Sequence, residues 1–107
     1  MTGVRHTLQQ VDRFELLPNF PNPFNASTEI SYCLPQAADI CVTVYSVQGE
    51  RVCELENGSR IAGEHRVRWQ GLDDRGRAVA SGVYFYRLEA ISTSDRYVER
   101  GKMTLVR

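Results

Sequence analysis

Runs of strand-forming residues with a two-residue period, each closed by a turn signal, constrain this chain more than any other feature. Ile40-Cys41-Val42-Thr43-Val44-Tyr45 is β-branched and aromatic, and Ile40, Val42 and Val44 point one way along an extended backbone. Glu29 to Leu34 alternates in the same manner and puts Ile30, Tyr32 and Leu34 on one face. His65, Val67 and Trp69 share a side of their run, and Tyr84, Tyr86, Leu88 and Ala90 share a side of the most aromatic one. Arg51 to Leu55, Tyr97 to Arg100 and Lys102 to Val106 complete the set, and Gly101 between the last two predicts a bulge or bend. Turn signals stand at Pro35 to Asp39, Gln48-Gly49-Glu50, Asn57-Gly58, Gly71 to Arg77 and Ser92 to Asp95. No stretch keeps a helical period over three turns. About seven short strands at this spacing predict an all-β antiparallel sandwich, immunoglobulin- or fibronectin III-like. Val42, Val44, Val67, Trp69, Tyr84, Tyr86 and Leu88 are its expected core.

Ahead of the first regular strand stands Phe20-Pro21-Asn22-Pro23-Phe24-Asn25, followed by Ala26-Ser27-Thr28. Each proline fixes its own φ and pushes the preceding residue into an extended conformation, so this segment is pre-shaped. Asn22, Asn25, Ser27 and Thr28 can close turns through local hydrogen bonds. Phe20 and Phe24 supply apolar anchors, one of which is expected to plug an end of the sandwich. These properties predict a structural lock first and a recognition epitope second.

The 107 residues suit one domain over residues 14–107, with residues 1–13 as a linker or flexible lead-in. Lys+Arg and Asp+Glu balance at 13 each, so no basic field points to nucleic acid. No apolar run approaches the roughly 20 residues that cross a bilayer as a helix. The first residues, with Arg5, His6, Asp12 and Arg13, lack the apolar centre of a secretory signal. Cys33, Cys41 and Cys53 form neither a disulfide framework nor a metal-binding pattern. They read as small strand hydrophobes, with a Cys33–Cys41 bridge as the alternative if a hairpin turns near Ala37.

Candidates for chemistry are few. His6 and His65 are the only histidines, and His65 shares its strand face with Val67 and Trp69, the setting of a half-buried structural side chain. No nucleophile elbow, zinc-protease helix or phosphate-cradling glycine loop occurs, so an enzyme is not expected. Neither a catalytic residue nor a cofactor is expected. Asp73 and Asp74 form the one acidic loop and are the weak candidates for Ca²⁺, although a paired aspartate before glycine is also a good turn. Phe85 is the aromatic expected on the outer face. As a single ring it argues only weakly for a carbohydrate-binding module.

Three segments and the chain end carry a resemblance to a known family. Phe20 to Thr28 resembles the Y-P-N-P-F-N-P-S-T opening of the type A C-terminal sorting domains of type IX secretion, relatives of the Ig-like domain of the flagellar hook-capping protein. Val44 to Val52 is similar to their V-Y-D-x-x-G-R-x-V, and Trp69 to Leu88 to their W-D-G-x-D-x-x-G-x-x-V-x-S-G-V-Y-F-Y-x-L. Lys102-Met103-Thr104-Leu105-Val106-Arg107 is similar to their K-M-x-L terminal strand. Ala26 stands where a proline is usual, Ser46 and Gln70 where aspartates are common, and the three cysteines lie outside the pattern.

The resemblance implies a non-catalytic sorting and surface-anchoring domain, fused behind an upstream cargo domain in a larger exported bacterial protein. Its implied partners are an outer-membrane secretion machinery and a sortase-like peptidase that cuts the preceding linker, with no nucleic acid and no membrane span. The implied location is secreted or cell-surface, reached through the periplasm and outer membrane, with any export signal on the full precursor. Gly101, Lys102, Met103, Thr104, Leu105, Val106 and Arg107 are the candidate recognition strand. The alternative function is a structural or adhesive Ig-like module, of hook-capping or cell-surface spacer type.

Overall fold

The computed structural model describes residues 12–107. The expected lead-in lies outside the described residues as far as residue 11, and so does His6. The described chain forms seven strands: β1 (Glu15–Leu16), β2 (Thr28–Leu34), β3 (Ala38–Ser46), β4 (Arg51–Arg60), β5 (Gly63–Trp69), β6 (Gly82–Ile91) and β7 (Arg96–Leu105). They make two antiparallel sheets, one ordered β1-β2-β5 and the other β4-β3-β6-β7. The antiparallel sandwich read from the sequence is the observed fold.

The alternation that predicted the strands also builds the core. Ile30, Tyr32 and Leu34 of β2 are fully buried, and they face Val42, Val44, Tyr84, Tyr86, Leu88 and Ala90 of the second sheet. Val67 is half-buried and packs against both parts of the core, whereas Trp69 is fully enclosed. Phe24, Trp69 and Tyr84 gather at one end, with Trp69 edge-on to Tyr84 at 5.2 Å between ring centroids and tilted against Phe24 at 5.7 Å. The polar groups of the two large aromatic side chains at this end are satisfied, whereas the buried Asn19 Oδ1 has no partner among the described residues. The Trp69 indole N–H donates to the Leu72 carbonyl at 2.9 Å, and the Tyr84 hydroxyl donates to the Ala80 carbonyl at 2.6 Å.

Three expectations are corrected. The Pro35 turn is no hairpin: it carries the chain from β2 in one sheet to β3 in the other, so Cys33 and Cys41 never face each other and all three cysteines are free. Cys33 pairs instead with Glu15 and Glu64, and Cys41 with Asn57 and Glu89. Asn57-Gly58 is not a turn but lies inside β4, opposite Cys41 and Ile40, where Gly58 takes a φ of 147°. The chain turns only after Arg60.

Gly101 makes no bulge either. β7 runs through it in unbroken register, with Gly101 directly opposite Tyr86. The glycine is needed because the Tyr86 ring lies over it, and an added Cβ would overlap that ring. Gly101→Ala is therefore expected to lower stability by about 1–3 kcal/mol through overpacking, measured by urea denaturation. The same change in a Tyr86→Leu background should cost clearly less, since the clashing ring is gone.

Candidate functional site

The double-proline motif and the end of β7 form one continuous device. β7 closes the four-stranded sheet, and its outer edge presents backbone groups without a further strand. The Asn22 side chain spans that edge, donating from Nδ2 to the Lys102 carbonyl at 3.3 Å and accepting at Oδ1 from the Thr104 N–H at 3.0 Å. One carboxamide thus imitates a peptide unit. Phe24 continues the pairing: its N–H donates to the Thr104 carbonyl and its carbonyl accepts from the Val106 N–H, both at 2.9 Å. Asn25 Nδ2 then reaches the Val106 carbonyl at 3.1 Å. The extended backbone imposed around Pro23 lays this segment beside β7, with Phe24 bridging Leu105 in parallel.

Behind the edge, the motif is anchored through Tyr86. Its hydroxyl accepts from the Asn19 N–H and donates to the Leu17 carbonyl, each at 3.1 Å, so a central strand of one sheet grips the segment that leaves β1 in the other. Asn19 is buried and donates to Thr28 Oγ1 at 2.9 Å, and Thr28 donates to the Pro21 carbonyl at 2.8 Å. The Phe20 N–H and carbonyl pair with Glu29. Sequence reasoning missed Asn19, because nothing in its neighbourhood distinguishes a buried asparagine from a turn residue.

The two phenylalanines have opposite fates. Phe24 is 2% exposed and plugs the sandwich end, whereas Phe20 is 78% exposed and anchors nothing. The candidate recognition strand is likewise divided. Met103 and Leu105 are in the core, Gly101 lies beneath Tyr86, and Thr104 is half-buried. Arg107 donates from its backbone to Ser81 Oγ and from its guanidinium to the Val79 and Gly71 carbonyls at 2.7 Å each. Lys102 and Val106 are tied through their backbones, and their side chains extend into solvent.

Asp73 and Asp74 spend their oxygens on the protein itself. Asp73 Oδ1 accepts from the N–H groups of Arg75 and Arg77 at 2.9 Å, and Oδ2 meets the Arg77 guanidinium at 3.3 Å. Asp74 Oδ1 accepts from the Glu54 N–H at 3.0 Å, and Oδ2 pairs with Arg51 at 3.1 Å. These amide bonds, the largest influence in each case, hold both carboxyls below the usual range, and the arginines reinforce them. The loop is a turn that also ties down the edge of β4.

Among the described residues, the remaining candidates for chemistry are tied into the fold. His65 stacks on Tyr32 at 5.3 Å, and its Nε2 contacts the Ile61 carbonyl at 2.8 Å. Burial raises the Cys33 thiol and pushes Cys53 up to about 11, away from the thiolate that nucleophilic chemistry needs. Phe85 is not alone on the outer face, since Tyr45 stands directly opposite it.

Fold and motif together define an Ig-like sandwich sealed along its last edge by a proline-shaped segment. The family profile described as the FlgD Ig-like domain matches residues 22–94, and the chain belongs to that family. Among solved structures, dimeric latent PorU from Porphyromonas gingivalis is similar at a TM-score of 0.71 and 19% identity, over 90% of this chain and 10% of that one. The chain thus spans about a tenth of PorU's length. FlgD from P. aeruginosa is similar at a TM-score of 0.61 and 20% identity, over 88% of this chain and 75% of that one. FlgD from Xanthomonas campestris gives 0.59 and 21%, over 88% and 67%. At these identities the likeness is one of fold. A search of curated proteins returns no significant match.

Two predictions follow from the geometry. Phe24→Ala should cost about 3–5 kcal/mol, Asn22→Ala about 1 kcal/mol and Phe20→Ala less than about 0.5 kcal/mol, as read from urea midpoints. Because the Asp73 and Asp74 carboxyls titrate lower when folded, their stabilisation is present above the unfolded carboxylate pKa. It is lost as pH falls through the folded values. Asp74→Asn should therefore destabilise the protein at pH 7 and flatten the acid limb of a melting-temperature profile.

Proposed function

We propose that this chain is a non-catalytic sorting and surface-anchoring module of a larger exported protein, recognised by an outer-membrane type IX secretion machinery. The observation that carries this reading is that the motif segments shared with the sorting domains are the parts that lock this fold. Phe20 to Thr28 seals β7, Trp69 to Leu88 supplies the end of the core and Tyr86, and Lys102 to Arg107 is the strand being sealed. The similarity to PorU supports a domain of this size within a much longer chain. Under this reading the cargo lies upstream and a sortase-like peptidase cuts the preceding segment. The module reaches the surface through the periplasm and outer membrane.

Recognition uses the folded sandwich as a rigid body, presenting the exposed side chains of motif and last strand: Phe20, Lys102 and Val106. The non-catalytic reading is supported by the raised thiols of Cys33 and Cys53 and by a histidine held in stacking and a backbone contact. A second reading, a structural module of the hook-capping kind, is favoured by the family match and by the coverage of both FlgD chains.

The test places the chain behind a periplasmic reporter in a type IX-competent host. Surface delivery that is lost in a translocon-deficient strain is expected. Retention in the periplasm of both strains sinks the sorting role and leaves the structural module. Phe20→Ala with Lys102→Glu should reduce delivery while leaving the melting temperature within about 2 °C, because both side chains are exposed.

A further inference from the structure

The outer face of the four-stranded sheet carries a groove that neither the core nor the double-proline motif explains. Strand register sets Tyr45 directly opposite Phe85, and Arg87 directly opposite Arg100. Phe85 and Arg87 lie two residues apart on β6, so all four side chains stand on one face, opposite the core face of Tyr84 and Tyr86. They line an open groove of about 690 Å³ that the β3–β4 turn closes at one end.

This arrangement works against stability. Like charges directly across an antiparallel ladder repel, and neither Arg87 nor Arg100 has an ion-pair partner among the described residues. The carboxylates of this face are engaged elsewhere, Glu89 with Arg96 at 2.6 Å, Glu54 with Arg51 at 3.7 Å and Asp39 with the Ser59 hydroxyl at 2.6 Å. Lys102, opposite Phe85, adds a third cation. On the other sheet the ladder sets Arg68 against Glu29 instead. The whole chain is neutral, so the positive groove is a local arrangement.

Its chemistry narrows the ligand. Opposed guanidinium forks hold a carboxylate through paired N–H donors, and adjacent aromatic rings accept the flat apolar face of a ring. β3 and β6 are the central strands of their sheet, hydrogen-bonded along both edges, so an extended peptide cannot add to the groove floor as a strand. The ligand must be read by charge and stacking. A sugar ring bearing a carboxylate offers both, and the groove falls within the size range of small-ligand sites.

We propose that this face binds an acidic glycan, with Arg87 and Arg100 on the sugar carboxylate and Tyr45 and Phe85 stacked on its ring. The site is independent of the sorting role and does not rest on it.

Titration of the full chain with a galacturonic acid oligomer, followed by amide chemical shifts, is the test. Shifts confined to the neighbourhood of Tyr45, Phe85, Arg87 and Arg100, with no response to the neutral galactose oligomer, are expected. Arg100→Gln should weaken binding about tenfold or more. It should leave the melting temperature unchanged or raised, because the arginine opposition is relieved. Phe85→Leu, with every charge intact, should weaken binding about threefold to tenfold. Two results would overturn the site: no selective shifts at millimolar oligomer, or equal binding of a hexaglutamate peptide that Phe85→Leu leaves unchanged. The latter would make the face a basic patch for acidic peptides.

Discussion

An edge strand leaves every second N–H and C=O open to whatever strand comes next, and at the C-terminal end of β7 and just beyond it those groups belong to Lys102, Thr104 and Val106. The Lys102 carbonyl, both backbone groups of Thr104 and both of Val106 are taken by Asn22, Phe24 and Asn25. A segment with its backbone already extended does this, and here it runs parallel to β7. Prolines supply that shape, and because they offer no N–H, side-chain carboxamides substitute for the missing donors. The same segment inserts Phe24 against Trp69, so edge closure and core closure are one event. Tyr86 extends the coupling inward, binding Leu17 and Asn19 with its hydroxyl while its ring fills the space over Gly101.

The opposite edge of that sheet is handled by similar chemistry. β4 borders solvent, and part of its backbone is engaged by the 71–77 loop: the Asp74 N–H donates to the Val52 carbonyl while its carboxylate accepts from the Glu54 N–H. Arg107 in turn fastens the start of that loop and the segment just after it, through the Gly71 and Val79 carbonyls. Both edges are therefore capped by short polar side chains imitating a neighbouring strand. β3 and β4 also shift register between Val42 and Thr43 and between Val44 and Tyr45, which bends the ladder away from a flat, sticky edge.

Strand existence, face assignment and sandwich class were legible in the sequence because burial imposes a strict two-residue period, and Tyr84, Tyr86, Leu88 and Ala90 obey it without exception. Sheet membership was not. A turn such as Pro35-Gln36-Ala37 reads the same whether it makes a hairpin or crosses between sheets, and the Cys33–Cys41 pairing failed on that ambiguity. Glycines misled for a related reason. Asn57-Gly58 and Gly101 carry turn or bulge signals locally, but partners distant in sequence hold both in strands, Gly101 through the Tyr86 ring. The motif was recognisable as rigid, yet which phenylalanine faced inward depended on β7, roughly eighty residues further on. Nor could the pairing of Arg87 with Arg100 be read, since it needs the register of β6 against β7.

Edge closure also decides how the last strand can be recognised. A receptor that captured the C-terminal end of β7 by strand addition would need the Lys102 carbonyl and the Thr104 and Val106 backbone groups, and the motif already occupies them. Pulling the motif away would expose Phe24, whose burial is worth several times the ~1 kcal/mol that one new backbone hydrogen bond returns. Strand capture would thus have to replace both the edge and the core plug at once. A receptor of the proposed kind would read the folded module more cheaply through side chains that already stand clear of these ties, Lys102 and Val106 at the end of the chain and Phe20 on the motif. Under the proposed sorting role the lock would serve the signal: by fixing the backbone of both segments, it sets the positions from which three exposed side chains project before any partner arrives.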